Sequence, residues 1–287
     1  MDAKRLKTLM RCVECGSTQI GLEGDSLQCA DCRQSWTADD GIYDLRPRQT
    51  LPLPAMYHDP HYLTWLKRLA EAQDYFYKSH PIVTWVQNAG HRAIRRWSEW
   101  PDDAVVLDLG CGDGAHRPFL DNTTQVIGMD IDQPSLRKLH QRHPDYFAVQ
   151  GDACRLPLAD GVVDIILSLY SLEHVLHLDW VLEEASRVLK PTGRLFVSVP
   201  AEGGWAWRLG RMLTSARTFS DGQLDYRRSN AIDHCNCVWQ IERALRRHFD
   251  IERCSRFPLI LPSHHLNLIV SWQARKRSKL ADARRAG

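Results

Sequence analysis

The sequence predicts an α/β fold with a mostly parallel sheet, preceded by a small module held together by a metal ion. Three observations carry this expectation. From Pro101 onward, short apolar strands alternate with helical stretches, the pattern of successive βα units. One strand runs directly into a glycine-rich turn, VVLDLGCGDGAH at 105–116. Four of the nine cysteines lie within the first 32 residues, as Cys12-x2-Cys15 and Cys29-x2-Cys32.

Composition narrows the class. Of 287 residues, 44% are hydrophobic and 25% charged, enough to bury a full core and too apolar for a disordered chain. Lys and Arg (37) nearly balance Asp and Glu (35), which argues against a protein dedicated to coating nucleic acid. No apolar run approaches the roughly 18–20 residues of a membrane span. The opening MDAKRLKTLMRC lacks the apolar centre of a secretory signal, so the expected location is cytoplasmic. The odd cysteine count, without an export signal, argues against a disulfide framework.

The amino-terminal module spans 1–47. Its CxxC pairs are separated by 13 residues, and each two-residue gap lets both sulfurs of a pair face one point. Zinc suits four thiolates arranged tetrahedrally, and such a shell leaves no open position for catalysis. A redox dithiol or an iron–sulfur centre is the alternative for these residues. Gly21 and Gly24-Asp25 supply turns between hydrophobic stretches, as in a small antiparallel ribbon.

The proline-rich text RPRQTLPLPAMYHDP ends the module and reads as a linker over 48–60. Two helices are expected in 61–100. Tyr62, Trp65, Leu66, Leu69 and Phe76 share one face, and Ile82, Trp85, Val86, Ala89, Ala93 and Trp97 share another. Such faces usually pack into a core. Tyr75 and Tyr77 could instead close over a ligand.

The main domain spans 101–274. Its expected strands are Ala104–Leu109, Gln125–Met129, Phe147–Gln150, Val163–Leu169 and Arg194–Val199, with two late strands near Ile251–Phe257 and Leu266–Trp272. Helices are expected near Pro134–Arg142, Asp179–Leu189 and Val238–Arg247. Residues 201–237 read as a long irregular insert, a candidate lid. The tail 275–287, RKRSKLADARRAG, has six basic residues and one acidic, and reads as a solvated end.

The glycine turn lets the backbone approach a ligand closely after Asp108. Asp130 follows 22 residues later at the end of the next strand, where a carboxylate can accept ribose hydroxyl hydrogens. Asp152 follows after another 22, at the end of the third strand. Each acid alone could be a cap or turn residue. Three in register line the sheet edge at which open α/β folds bind ligands.

With LDLGCGDG, VIGMDID, GDACRLPLADGVVDIILSLYSLEHV and RVLKPTGRLFVSVP, residues 104–200 resemble class I S-adenosylmethionine-dependent methyltransferases, in the broad small-molecule group. The segment SWTADDGIYDLRP after Cys32 likewise resembles the small zinc-ribbon proteins that activate RNA and protein methyltransferases. The first resemblance implies a Rossmann-like seven-stranded sheet whose last strand is antiparallel. It implies that Asp108 and the loop Gly110, Cys111, Gly112 and Gly114 cradle the methionine part of S-adenosylmethionine, with Leu169 nearby at the end of the fourth strand. By the same resemblance Asp130 holds the ribose, Ile131 lies against the adenine, and Asp152 and Ala153 meet the adenine edge. Pro118 departs from the pattern and should shorten or shift the helix after the loop.

Three residues stand out for acceptor chemistry. Tyr170 and His174 lie just beyond the fourth strand, and Glu173 and His174 are read as supporting groups in preference to a base. His234, in DHCNC, is the other candidate, against the simpler reading of a loop histidine; Cys235 and Cys237 beside it are too sparse for a second metal site. The expected function is methyl transfer to a small-molecule or a lipid- or sugar-linked acceptor, with zinc in the ribbon. An RNA methyltransferase is the rival enzyme, and a non-catalytic cofactor-binding or activator subunit is the rival of another class.

Overall fold

A short helix, α1 (Ala3–Leu9), precedes four short strands, β1 (Ile20–Glu23), β2 (Ser26–Cys29), β3 (Ser35–Asp39) and β4 (Ile42–Asp44). The computed structural model describes residues 3–24, 26–79, 81–97, 100–120, 125–215 and 225–277, the side chains at 3, 4 and 70–79 excepted. Asp25, the side chains of Tyr75, Phe76 and Tyr77, and the tail beyond Arg277 lie outside the described residues. Strands β1 to β4 pair antiparallel in succession, with Ile20 opposite Cys29, Leu27 opposite Trp36 and Ala38 opposite Tyr43.

Two helices follow, α2 (Pro60–Ser79) and α3 (Pro81–Trp97). Each opens on a proline, which a first helical turn accommodates because its N–H has no intrahelical partner. The main domain then alternates β5 (Val105–Leu109), β6 (Gln125–Asp130), α4 (Gln133–Arg142), β7 (Phe147–Gln150), β8 (Val163–Leu169), α5 (Leu178–Val188) and β9 (Leu189–Pro200). Asp132 caps α4 by accepting from the Ser135 amide at 3.0 Å. After the glycine loop the chain makes only a 3-10 turn, Arg117–Phe119, with Pro118 inside it. The departure at Pro118 thus leaves a short turn in place of a helix.

The insert is not irregular. It carries α6 (Trp205–Leu213) and α7 (Tyr226–Asp233), the latter capped by Asp225, whose carboxylate accepts from the Arg227 and Arg228 amides. Helix α6 buries none of its residues fully, although Trp205, Leu209 and Met212 recur at helical spacing. The chain ends in α8 (Val238–His248), β10 (Phe249–Phe257) and β11 (Ile269–Lys276).

Among the described residues the sheet has eleven strands in the order β1-β2-β3-β4-β7-β6-β5-β8-β9-β11-β10. The seven expected strands are the part β7-β6-β5-β8-β9-β11-β10, and β11 runs antiparallel to both its neighbours. The seven-strand expectation therefore needs correction: the strands of the amino-terminal ribbon continue the same sheet. Strand β4 pairs in parallel with β7, Tyr43 opposite Val149 and Asp44 opposite Gln150, and the Leu45 amide donates to Gln150 O at 2.8 Å. Without β4, β7 would expose a row of unpaired backbone groups. A second seam joins Met10 to Leu158, with Arg11 N donating to Pro157 O at 3.0 Å and Ala159 N to Leu9 O at 2.7 Å.

Burial follows these seams. One continuous core runs from Leu6, Leu27 and Trp36 of the ribbon through Val149 and Leu158 to Val181, Ile241 and Trp272. A second, with Val106, Leu139, Leu167 and Phe196, fills the opposite face of the sheet. A third and smaller cluster, Tyr62, Trp65, Tyr226 and Ile232, joins α2 to α7. No helix among the described residues is long and apolar enough to cross a membrane.

Candidate active site

Adjacent strands β5, β6 and β7 end in Asp108-Leu109, Asp130 and Gln150-Gly151-Asp152, so parallel pairing alone brings the three acids to one sheet edge. Their carboxylates are used differently. Asp108 is fully buried, its Oδ1 lying 2.8 Å from His116 Nδ1 while its Oδ2 accepts from the Tyr146 hydroxyl at 3.3 Å. Burial works against charge on His116, yet Asp108 beside it raises the ring above its ordinary value. Asp108 thus anchors the segment after the glycine loop from beneath.

Asp130 faces the loop directly. Its Oδ2 accepts from the Gly112 amide and its Oδ1 from the Asp132 amide, both at 2.9 Å. Burial pushes its carboxyl above the usual range, and those two amides counter the rise. Asp152 accepts from the Cys154 amide at 2.8 Å, and Ala153 beside it is half-buried. Cys111 and Leu169 are buried side chains of the second core, so Cys111 offers the loop its backbone only.

Two glycines show why the loop has this sequence. Gly110 has φ +75°, and a Cβ there would lie 2.5 Å from Ser171 Cβ. Gly112 has φ +52°, and nothing lies within 4 Å of where its Cβ would be, so the chain passes open space. Ile131, next to Asp130, is 63% exposed although large and apolar. An open glycine, an acid within reach and an exposed apolar platform together fit a nucleoside-bearing cofactor such as S-adenosylmethionine.

The acceptor side begins at Ser171, whose hydroxyl donates to Leu109 O at 3.1 Å and ties the exit of β8 to the glycine loop. Tyr170 before it adopts φ +58°, rare for a non-glycine residue. Its hydroxyl donates to Gln87 O and accepts from the Gly90 amide at 3.2 Å, fastening α3 over the site. Glu173 is buried, and its Oε2 has no hydrogen-bond partner. Burial pushes that carboxyl up.

His174 and His234, 60 residues apart in sequence, meet with ring centroids 4.7 Å apart and planes at 74°. His174 Nδ1 lies 3.0 Å from Asp233 O and 3.3 Å from Asp233 Oδ2. Burial opposes the charged ring, but Asp233 outweighs it and lifts His174 to about 9. His234 Nδ1 lies 3.2 Å from Glu202 Oε2, and its Nε2 lies 3.8 Å from Asp233 Oδ2. Glu202 also accepts from Trp207 Nε1 at 2.7 Å and from Arg211. Burial alone would raise Glu202; its contacts with His234 and Arg211 instead hold it near 2.

This cluster closes one end of a cavity of about 220 Å³. Trp65 and Leu69 of α2, Val83 and Val86 of α3, Trp207 of α6 and Tyr226 of α7 line it, with Asp233 and His234 as its polar end. Sequence reasoning found His174 and His234 and took the insert bearing Trp207 and Tyr226 for a lid over the acceptor, but missed Asp233 and Glu202. Asp233 stood beside His234 in the same DHCNC segment; nothing in the sequence linked Glu202 to either histidine.

In the ribbon, Cys12 and Cys32 sulfurs lie 3.6 Å apart, as do those of Cys15 and Cys29, and all four lie within 4.8 Å of one another. Thiolates about 2.3 Å from one tetrahedral zinc would stand about 3.8 Å apart, so the spacing fits. Burial pushes the Cys12 thiol up to about 12 although the Cys15 and Glu14 amides face it, whereas at Cys29 the Cys32 and Asp31 amides outweigh burial and bring the thiol down to about 7.

Comparison with known proteins agrees with this geometry. Residues 107–197 match the family model of a methyltransferase domain. A protein of Mycolicibacterium smegmatis named a probable S-adenosylmethionine-dependent methyltransferase is 32% identical over 133 residues, 46% of this chain and 48% of its own. The malonyl-[acyl-carrier protein] O-methyltransferase of Methylococcus capsulatus is 36% identical over 131 residues, 42% of this chain and 48% of its own. The chain spans about half the length of these curated relatives. The Burkholderia thailandensis 1,6-didemethyltoxoflavin-N1-methyltransferase, solved with 1,6-didemethyltoxoflavin and S-adenosylhomocysteine bound, shares the fold with a TM-score of 0.50 at 18% identity, covering 87% of this chain and 98% of that one. The main domain is a Rossmann-like methyltransferase fold.

Proposed function

We propose that this chain is an S-adenosylmethionine-dependent methyltransferase whose acceptor is a largely apolar small molecule or the head of a lipid- or sugar-linked intermediate. The observation that carries the reading is that one turn is tied to both half-sites: Ser171 bonds Leu109 O at the glycine loop, and Tyr170 before it bonds Gln87, which lines the apolar cavity ending in Asp233 and His234. Asp130 would hold the ribose hydroxyls and Ile131 the adenine face, with Asp152 and Ala153 at the adenine edge. The glycine loop would cradle the methionine part. When bound, the cofactor would supply an electrophilic methyl on a sulfonium, which an acceptor lone pair would attack in line as the carbon–sulfur bond breaks and S-adenosylhomocysteine leaves.

The chain's own part is to orient the acceptor, exclude water and receive a proton. His234 is assigned as the base. Its ring lies between two carboxylates, Glu202 at 3.2 Å from Nδ1 and Asp233 at 3.8 Å from Nε2, at the polar end of the cavity. His174, lifted to about 9, keeps its proton at neutral pH and is therefore suited to hold Asp233 and not to act as base. Tyr170 is a positioning residue through its hold on α3. The acceptor preference rests on the cavity: Arg211, the arginine of its lining, is already paired with Glu202, which leaves little to attract a nucleic-acid backbone. The four ribbon cysteines are assigned a structural zinc.

Titration calorimetry with S-adenosylmethionine tests the first half, and failure to bind would sink the enzyme reading. Methyl-labelled cofactor incubated with fractionated cell extract tests the second. Label appearing in purified rRNA, and not in the small-molecule or lipid fractions, would overturn the acceptor class. Elemental analysis should find one zinc per chain.

A further inference from the structure

Helix α6 is amphipathic in the wrong direction for a core helix. Trp205, Leu209 and Met212, spaced i, i+4 and i+7, face solvent with Arg208 among them, while the helix buries no residue fully. Trp205 is 71% exposed, which strands the helix's largest apolar side chain in water. The helix does not stand alone. Trp205 packs on His265 with ring centroids 4.8 Å apart, beside the 258–262 loop whose tip, Ile260, is 95% exposed. Phe257, at the start of that loop, meets Trp85 of α3 at 4.6 Å, and Ile82 one turn before Trp85 is 75% exposed. The result is one apolar rim running from α3 through the β10–β11 loop to α6. Ile82 and Gly210 on that rim also line the acceptor cavity, so the rim surrounds its mouth.

Cations stand among these apolar tips. Arg211 is already paired with Glu202, and Arg253 lies in a separate cleft with Asp164 and Glu252. The rim's own cations are Arg208, exposed on α6, and Arg92 on α3. Arg92 lies 5.7 Å over the Trp85 ring and 5.4 Å over Phe257, putting a guanidinium among the exposed rings. Apolar tips flanked by arginines match an anionic bilayer surface: Trp and Leu enter the headgroup boundary while guanidinium groups meet phosphates. A protein partner would need matching acids as well as an apolar face. A bilayer supplies both at any orientation about its normal.

We propose that this face docks on a membrane surface containing anionic lipid, so that the cavity opens toward the bilayer and takes a lipid-borne acceptor from it. The second part rests on the methyltransferase reading; docking does not. The rim then has two parts to play. Trp205, Leu209 and Ile260 seat the enzyme, while Ile82 forms the threshold between bilayer and cavity.

The test is flotation of the full chain with vesicles of phosphatidylcholine alone and of phosphatidylcholine with phosphatidylglycerol. Wild type should float with the mixed vesicles, less with the neutral ones, and less again in high salt. The combined variant Trp205→Ser, Leu209→Ser, Ile260→Ser should bind at least about tenfold more weakly. Its melting temperature and S-adenosylmethionine affinity should match wild type, since none of the three side chains is buried or borders the cofactor edge. Absence of wild-type flotation, or equal binding by the variant, overturns the proposal. So does a wild-type dimer in light scattering that the variant dissolves, because the face then covers a second copy of this chain. Loss of cofactor binding with flotation intact would instead strike the methyltransferase reading and leave docking standing.

Discussion

The two halves of the candidate active site are built by different means. On the cofactor side, neighbouring parallel strands fix each acid's position through backbone pairing, Asp108 opposite Gly128 and Asp130 opposite Gln150. On the acceptor side, α2, α3, α6 and α7 converge through side chains: Tyr62 on Asp233 at 3.2 Å, Tyr57 on Ile232 O at 3.1 Å, and Glu202 on His234. The first half is a property of the sheet and tolerates change around it. The second depends on many weak contacts and can be retuned one residue at a time, as a specificity region should be.

The largest effect expected is also the sharpest test of that division. The ribbon joins the main domain through β4 on β7 and through the Leu9–Arg11 seam on 157–159; the first of these borders the cofactor half, since the loop after β7 carries Asp152. Metal binding to four thiolates is worth on the order of 10 kcal/mol in small zinc domains. Stripping the ion with a chelator should therefore release β4, raise amide exchange in β7 and the Gly151–Cys154 loop, and weaken cofactor binding. Exchange around Tyr62 and Tyr226 should hardly change. Equal loosening of both halves would mean that the ribbon supports the whole domain and that the division is wrong.

His234→Ala attacks the other half. A positioned base contributes roughly 10²–10⁴-fold, about 3–5 kcal/mol, so turnover should fall by that factor while calorimetric affinity for S-adenosylmethionine stays level. Glu202→Gln should lose less, by leaving the ring without its nearer charged neighbour. If His234→Ala instead changed cofactor affinity and spared turnover, the histidine would belong to the cofactor half.

The same division explains what could be read in the sequence. Every strand of the main domain was legible, because alternating βα patterning and glycine turns are local signals, and the acids at 108, 130 and 152 came with them. The join between β4 and β7 was not legible, since Ile42–Asp44 is a three-residue strand with no periodicity to display. Helix α6 was passed over although Trp205, Leu209 and Met212 stand at helical spacing in the sequence. The carboxylates of Asp233 and Glu202 escaped because their partners lie far along the chain from their own segments, on a contact only tertiary folding creates. Asp108 was legible in position, whereas its partners His116 and Tyr146, which its carboxylate meets beneath the loop, were not.

Asp130→Ala returns to the cofactor edge with a smaller expected loss. It removes the acceptor of the Gly112 and Asp132 amides as well as a carboxylate available to a ligand. Charge-assisted hydrogen bonds are worth about 1.5–3 kcal/mol, so affinity for S-adenosylmethionine should fall about ten- to a hundredfold. Asp130→Asn should recover part of it. An unchanged dissociation constant would move the cofactor away from this edge.

The smallest effect concerns pH and belongs to the acceptor half alone. Folded His174 titrates near 9 against an ordinary value of 6.5, burial opposing its charge and Asp233 more than compensating. A raised folded value means that the folded state holds the proton more tightly. The His174–Asp233 contribution to stability is therefore complete below about pH 6.5 and is lost as the pH rises through 9. Because the His174 side chain is 39% exposed, solvent screens the pair and the change should be modest. Urea melts of wild type between these limits should lose stability with rising pH, and His174→Gln should flatten that slope. Cofactor affinity should be level over the same window, because Asp130 and Asp152 do not contact the pair. A slope that persists in His174→Gln would assign the titration to another group, and one mirrored in cofactor affinity would tie the two halves together electrostatically.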